Sequence, residues 1–286
     1  MRVFPKYVFL SCGLIFLVFS SLKAQTYRNL VFEGAGIRGV AYAGALMQLQ
    51  EQKILDKYKT CWRNFRWCNY SFSGFDRITF RQLHVRGFKD LYITGTSLNR
   101  QKIIVFSHEN YPNMKVRDAI RISMSIPLYY EAVHIDSSGK IVQNPKDTKG
   151  LDVMVDGGIL GNFPIQIFDS TKYFSANAYM ETVKNAFAKN PETLGVRIDS
   201  DEQINADKNI AGLAPYEINE FADYVSAFYN IILENLNRQS LDEADWKRTI
   251  SVSSKDIGPK VKKLSDAQKN ILLESGKAGV KVFFSK

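Results

Sequence analysis

One short stretch constrains this chain more than any other. Asn29-Leu30-Val31-Phe32 is an apolar run, Glu33-Gly34-Ala35-Gly36-Ile37-Arg38-Gly39 is a glycine-rich turn, and Val40 to about Leu55 is an apolar, alanine-rich helical stretch. The order is strand, glycine turn, helix. Such a turn presents unpaired backbone N–H groups at a helix N-terminus, where they can hold an anion or a developing oxyanion. Gly34, Gly36 and Gly39 also match G-x-G-x-x-G, the dinucleotide fingerprint, which needs a second strand ending in an acidic residue about twenty positions on. Asp56 to Asn69 offers no such strand, so a dinucleotide-binding protein is the minor alternative.

Further along, Asp90 to Thr94 and Lys102 to Phe106 read as two strands around Gly95-Thr96-Ser97-Leu98-Asn99. Gly95-Thr96-Ser97 is half of a G-x-S-x-G nucleophile elbow, but Asn99 takes the fifth place and a strand follows instead of the helix an elbow needs. A hairpin turn is the expectation. Val116 to Ser123 reads as a short helix stopped ahead of Pro127. Val153-Met154-Val155 then delivers Asp156-Gly157-Gly158, followed by Asn162-Phe163-Pro164. On its own, Asp156 is equally a turn-forming aspartate. Thr193 to Ile198 reads as a last core strand and Asp199 to Lys208 as a polar stretch. Helical patterns follow over Glu217 to Asn237 and from a cap at Ser265 to Glu274. The stripe Phe221, Tyr224, Val225, Phe228, Ile231, Ile232 is expected to cover the core.

Taken together, the glycine turn with its flanking strand and helix, Ala119-x-Arg121-x-Ser123-x-x-x-Pro127, and Asp156-Gly157-Gly158 resemble three of the four signature blocks of the patatin-like phospholipases, in the right order. The resemblance runs over roughly Leu30 to Ser200. It implies a three-layer α/β hydrolase fold, here incomplete between the first helix and about Asp76, with residues 25–200 as the patatin-like domain and 201–286 as a helical C-terminal part of it. It also implies acyl-ester hydrolysis of lipid or phospholipid by a serine–aspartate dyad without histidine. Asp156 would be the base, and the amides of Gly34, Ala35 and Gly36 the oxyanion donors. Ala35 stands where the family usually has a glycine, which leaves the backbone donor in place. Arg38, Gly39, Gly157 and Gly158 complete the motifs, and Arg38 could approach an anionic head group or simply start the helix at the surface. No cofactor and no metal is implied. His84 lies in a helix-like stretch, His108 in a loop and His134 near a strand end; each reads as a surface or packing residue.

The fourth block, the serine elbow, is absent. Its place just beyond Leu55-Asp56 is held by Tyr58 to Tyr70, with two of the three tryptophans and two of the three cysteines of the chain and no helical or strand period. The genetic code connects this text with the missing block. If each native codon begins with the last two bases of an observed codon, Trp62 and Trp67 both force glycine. The neighbouring codons then permit I-K-R-V-G-G-T-S-A-G-A-I across Tyr58 to Asn69, which contains G-T-S-A-G. The expectation is a frame disturbance entering after about Gln52 and leaving by Asp76, where Ile78-Thr79-Phe80-Arg81-Gln82-Leu83 resumes, together with loss of the segments the family places between. A chain with this text lacks the nucleophile. It is either a hydrolase whose sequence is damaged or a non-catalytic remnant that binds acyl lipid or a partner.

The first 24 residues read as an export signal, with Arg2 and Lys6 ahead of the apolar run Tyr7 to Phe19 and a small residue at Ala24. That run is too short to span a bilayer as a helix. Export to the periplasm, outer membrane or outside is the expectation. The net charge of +9 is local, since Lys247 to Lys286 holds ten basic and three acidic residues. This tail could touch an anionic membrane peripherally, although a solvated face is the simpler reading, and nothing in it points to nucleic acid. Cys61 and Cys68 form neither a zinc-ligand pattern nor a disulfide framework.

Overall fold

The computed structural model describes residues 27–54, 77–176, 178–180, 189–208, 212–238, 241–258 and 263–285. The expected signal segment and the block Tyr58 to Tyr70 lie outside these residues. Strands in chain order are β1 (Asn29–Phe32), β2 (Ile93–Ser97), β3 (Lys102–Phe106), β4 (Val133–Ile135), β5 (Asp152–Asp156), β6 (Thr193–Asp199) and β7 (Thr249–Ser253). The helices are α1 (Val40–Glu51), α2 (Phe80–Val85), α3 (Val116–Ser123), α4 (Gly158–Gly161), α5 (Asp201–Lys208), α6 (Phe221–Arg238), α7 (Glu243–Lys247) and α8 (Asp266–Phe284).

The architecture is mixed α/β, with one parallel and one antiparallel sheet. In the parallel sheet β6 lies between β1 and β7, in register Asn29↔Thr193 and Gly195↔Thr249. Every residue of β6 is buried, as expected of a strand covered on both faces. Leu194, Val196 and Ile198 face α1 and α8 through Ala41, Ala45, Leu49, Leu272 and Val280. The two helices approach backbone to backbone: a Cβ on Gly44 would overlap the Leu273 carbonyl, and one on Gly276 the Ala41 carbonyl. On the opposite face, Gly195 packs against Phe163 and Ile165, and Arg197 reaches Glu234 on α6. The result is three layers: helices, sheet, and a second layer built from residues 163–168 and α6.

The antiparallel sheet runs β3-β2-β5-β4. Strands β2 and β3 form the expected hairpin, closed with Gln101 at φ +50°. Helices α2 and α3 cover the sheet, burying Phe80, Leu83, Ile104, Phe106, Ala119, Ile122 and Met154 in a second core.

The polar stretch after Asp199 forms α5. Two sequence expectations are corrected. The C-terminal part is not only helical: in β7, Ile250 and Val252 are fully buried, so an alternating Thr-Ile-Ser-Val-Ser run adds a strand to the parallel sheet. The apolar stripe of α6 faces outward, with Phe221, Tyr224, Phe228 and Ile231 all more than half exposed while Ala227 is buried. Buried charge decides the orientation, because Glu234 and Arg238 take the sheet-facing side to meet Arg197 and Asp199.

Candidate active site

β1 is followed by Glu33-Gly34-Ala35, and the chain enters α1 through a tight 3₁₀ turn, Gly36–Gly39. Gly36 has φ +53°, a backbone conformation that favours glycine. The Gly34 N–H donates to the Asn162 carbonyl at 3.0 Å, so it is already engaged. Of the three expected oxyanion donors, Gly34 alone lines the cavity described below, while Ala35 is buried and neither it nor Gly36 is part of that lining. Arg38 stays beside the turn, its Nε 3.4 Å from the Ala35 carbonyl oxygen, and Gly39 passes the chain into α1.

Asp156 closes β5. Its N–H donates to the Ser125 carbonyl at 2.9 Å, and its Oδ1 accepts the Gly158 N–H at 2.8 Å. Burial pushes its carboxyl above the ordinary aspartate range, and the Gly158 amide offsets this in part. Gly157 is required by close approach, since a Cβ there would overlap the Thr94 carbonyl. Sequence reasoning gave Asn162 no role, yet it joins the two glycine turns. Its Oδ1 lies where a Cβ on Gly34 would sit and 3.0 Å from where one on Gly158 would sit, and its Nδ2 reaches Glu33 Oε1 at 3.4 Å.

Glu33 belongs to a buried ionic cluster. Arg197, fully buried, contacts Glu33 Oε1 at 2.8 Å, Glu234 Oε2 at 3.1 Å and Asp199 Oδ2 at 3.5 Å, and its guanidinium lies over the rings of Phe163 and Trp246. Arg238 binds Asp199, Asp207 and Glu234. The signal available in the sequence was a single arginine inside the strand Thr193-Leu194-Gly195-Val196-Arg197-Ile198, a cation that needs buried carboxyls to be tolerated there.

Both glycine turns open onto one cavity of about 810 Å³, lined by Glu33, Gly34, Ser123, Asp156, Gly158 and Asn162. That volume suits a small-molecule or acyl ligand. Its apolar wall includes Leu30, Phe32, Ile93, Ile167, Phe168 and Phe174, with Arg28, Lys89 and Lys172 adding cations. The cavity follows β1 along its free edge. Asn29 and Glu33 donate toward β6, so alternation directs the Leu30 and Phe32 amides away from β6, where no strand pairs with β1 among the described residues.

Ser97 does not reach this site. It is fully buried in β2, donating within 3.1 Å of Asn99 Oδ1 and 3.2 Å of Asp152 Oδ1. His134 lies in β4, away from the cavity lining.

Comparison with known proteins agrees with the sequence reading of the family. The family model Patatin-like phospholipase matches residues 71–169, the segment from just after Tyr70 through the Asp156 turn. Over those residues the chain is patatin-like. The crystal structure of VipD from Legionella pneumophila is similar over 88% of this chain and 53% of that one, at 11% identity and a TM-score of 0.41; this chain thus spans about half the length of VipD. No curated protein matches the chain.

Proposed function

We propose, from the patatin-like phospholipase character of residues 71–169, that this chain is built on the framework of a serine acyl-lipid hydrolase and, as written, lacks the residue that would make it turn over. The observation that carries the reading is that the glycine turn, at Glu33 and Gly34, and Asp156 border one cavity, which runs along the free edge of β1 and is the space a pairing strand would enter. In the intact form a serine hydroxyl attacks the ester carbonyl and Asp156 takes its proton. The amides of Ala35 and Gly36 donate to the oxyanion, and collapse releases the alcohol and leaves an acyl-enzyme that water hydrolyses. The raised proton affinity of Asp156 favours proton acceptance by the base.

The unpaired edge of β1 supports the frame reading. A strand following α1 by a right-handed crossover would add there in parallel, and its C-terminal turn would bring a serine beside Asp156. The family match beginning directly after Tyr70 is a second support. The alternative is a non-catalytic remnant that binds acyl lipid or a partner. Export through residues 1–24 completes the reading.

The test is labelling with a fluorophosphonate probe. The chain as written should not label, whereas a version carrying G-T-S-A-G in frame across residues 58–69, together with the lost helices, should label and should lose labelling on Asp156→Ala. Labelling of the chain as written that disappears in Ser97→Ala or Ser123→Ala would refute the dead-site reading. A folded rebuilt chain that never labels would leave the binding remnant.

A further inference from the structure

His84, Asp90 and His108 converge outside the catalytic geometry. We propose that they form a binding site for a divalent transition-metal ion of the zinc type, completed by water. The inference is independent of the hydrolase reading.

Local sequence brings the three together. A capping box between Thr79 and Gln82 starts α2, and buried Phe80 and Leu83 fix its rotation, leaving His84, one turn beyond Phe80, half exposed at the margin of the buried face. Gly87, at φ +75°, then reverses the chain, with Phe88 N–H returning to the Leu83 carbonyl, so Asp90 comes back alongside His84. His108 arrives from the other side. Ile93 pairs with Phe106 in the antiparallel ladder, and extending that register by two residues sets His108 opposite Leu91, next to Asp90.

The ligand atoms of the three residues all lie within 4.8 Å of one another. Asp90 Oδ1 is 2.6 Å from His84 Nδ1 and 3.2 Å from His108 Nδ1, and the two rings stack at 4.0 Å with 4° between their planes. The 3.2 Å contact does not have hydrogen-bonding geometry: His108 Nδ1 is buried and has no hydrogen-bond partner. A buried polar nitrogen without a partner is costly, and a cation between these atoms would give it one.

The donor set is also chemically right. Two imidazoles and a carboxylate suit zinc and its neighbours rather than calcium or magnesium, which prefer all-oxygen sites. With metal–ligand distances near 2.0–2.1 Å, two ligands of a tetrahedral site stand about 3.3 Å apart. The His108–Asp90 spacing already fits that figure. The His84–Asp90 pair must open by about 0.7 Å, and the rings must tilt out of their parallel stack so that both nitrogens aim at one point. His84 and Asp90, 50% and 32% exposed in their side chains, have the freedom to do so and leave room for water ligands. Asp90 also lines the main cavity, so the ion would sit on its rim.

The test titrates Zn²⁺ alone into metal-free full-length protein against a chromophoric chelator, with Co²⁺ absorption as a second readout. One ion per chain is expected. His84→Ala and His108→Ala should each weaken binding at least ten-fold, Asp90→Asn should weaken it with little change of shape, and His134→Ala and the pair Cys61→Ser, Cys68→Ser should leave it intact. The Co²⁺ spectrum should show no thiolate charge-transfer band. Absence of saturable binding, binding indifferent to both histidine substitutions and to Asp90→Asn, or binding lost with the cysteines would each overturn the proposal.

Discussion

Replacing Glu33 by glutamine tests the electrostatics beneath the glycine turn. Glu33 is buried, and two guanidiniums, Arg197 and Arg238, serve four carboxyls there: Glu33, Asp199, Asp207 and Glu234. Two cations cannot neutralise four carboxylates in a site closed to water, so one of the most enclosed groups keeps its proton. Burial pushes Glu33 up from 4.5 to about 8, with Asp199 and Glu234 adding to the rise and Arg197 opposing it. A folded-state value above the unfolded one means that the native chain holds an extra proton between those two pH values. Its contribution to stability is therefore complete below about pH 4.5 and gone above about pH 8. At 1.36 kcal/mol per unit, the span sets a ceiling of about 5 kcal/mol. Glutamine keeps the shape but cannot ionise, and its amide nitrogen donates where a Glu33 oxygen now accepts from Ile198 N–H or from Asn162 and Arg197, a cost that does not vary with pH. Urea unfolding of the parent and Glu33→Gln between pH 5 and pH 8 should show the parent's advantage shrinking by about 2–3.5 kcal/mol as the pH rises. A difference that stays flat, or grows with pH, would mean that Glu33 is ionised and paired with Arg197. In that case the substitution should already cost about 3–5 kcal/mol at pH 7.

Two further outcomes follow from the same geometry. Gly34→Ala should destabilise by about 1–3 kcal/mol, because its Cβ overlaps the Asn162 amide oxygen; adding Asn162→Ala should make the double substitution less costly than the sum of the two, as a double-mutant cycle of unfolding free energies would read. The exported form should begin at Gln25, which N-terminal sequencing of secreted protein checks, and recovery of Met1 would refute it.

The sequence exposed those parts of the site that depend on backbone. Glycines at 34, 36, 157 and 158 mark positions where a side chain would collide or the backbone must turn, and such constraints survive as letters. Strand β5 and helix α3 were legible because each combines a clear period with a stop signal, at Asp156-Gly157 and before Pro127. Strand β7 was not, because five residues of alternating Thr, Ile and Ser look like any surface turn until β6 is beside them. The α6 stripe misled for a related reason: periodicity finds an apolar face but does not know that Glu234 and Arg238 on the other face have buried partners 37 and 39 residues away. The roles of Asn162 and Glu33 depend on contacts across 129 and 165 residues, which a local pattern does not contain.

Whether another hydroxyl could stand in for the missing serine is a question of what each serine already does. Ser97 has the closest local motif, and in the ladder its strand passes Asp156 at Gly95, two residues earlier. Yet its hydroxyl is sealed in β2 against Asp152 and Asn99, and it also accepts the Arg100 N–H at 3.3 Å, so freeing it would leave buried Asp152 with one donor fewer. Ser125 is no freer: its Oγ donates to the Arg121 carbonyl at 2.8 Å, and its own carbonyl holds the Asp156 N–H. Ser123 does line the cavity, but it sits at the last turn of α3, where the exposed backbone groups are carbonyls that repel a developing negative charge. A serine on a turn leading into a helix N-terminus has the opposite field. A strand added at the free edge of β1 would provide that turn on the same side as the Ala35 and Gly36 amides. Asp156 and the glycine turn therefore flank a gap along the edge of β1 that would take one strand and the hydroxyl it would carry.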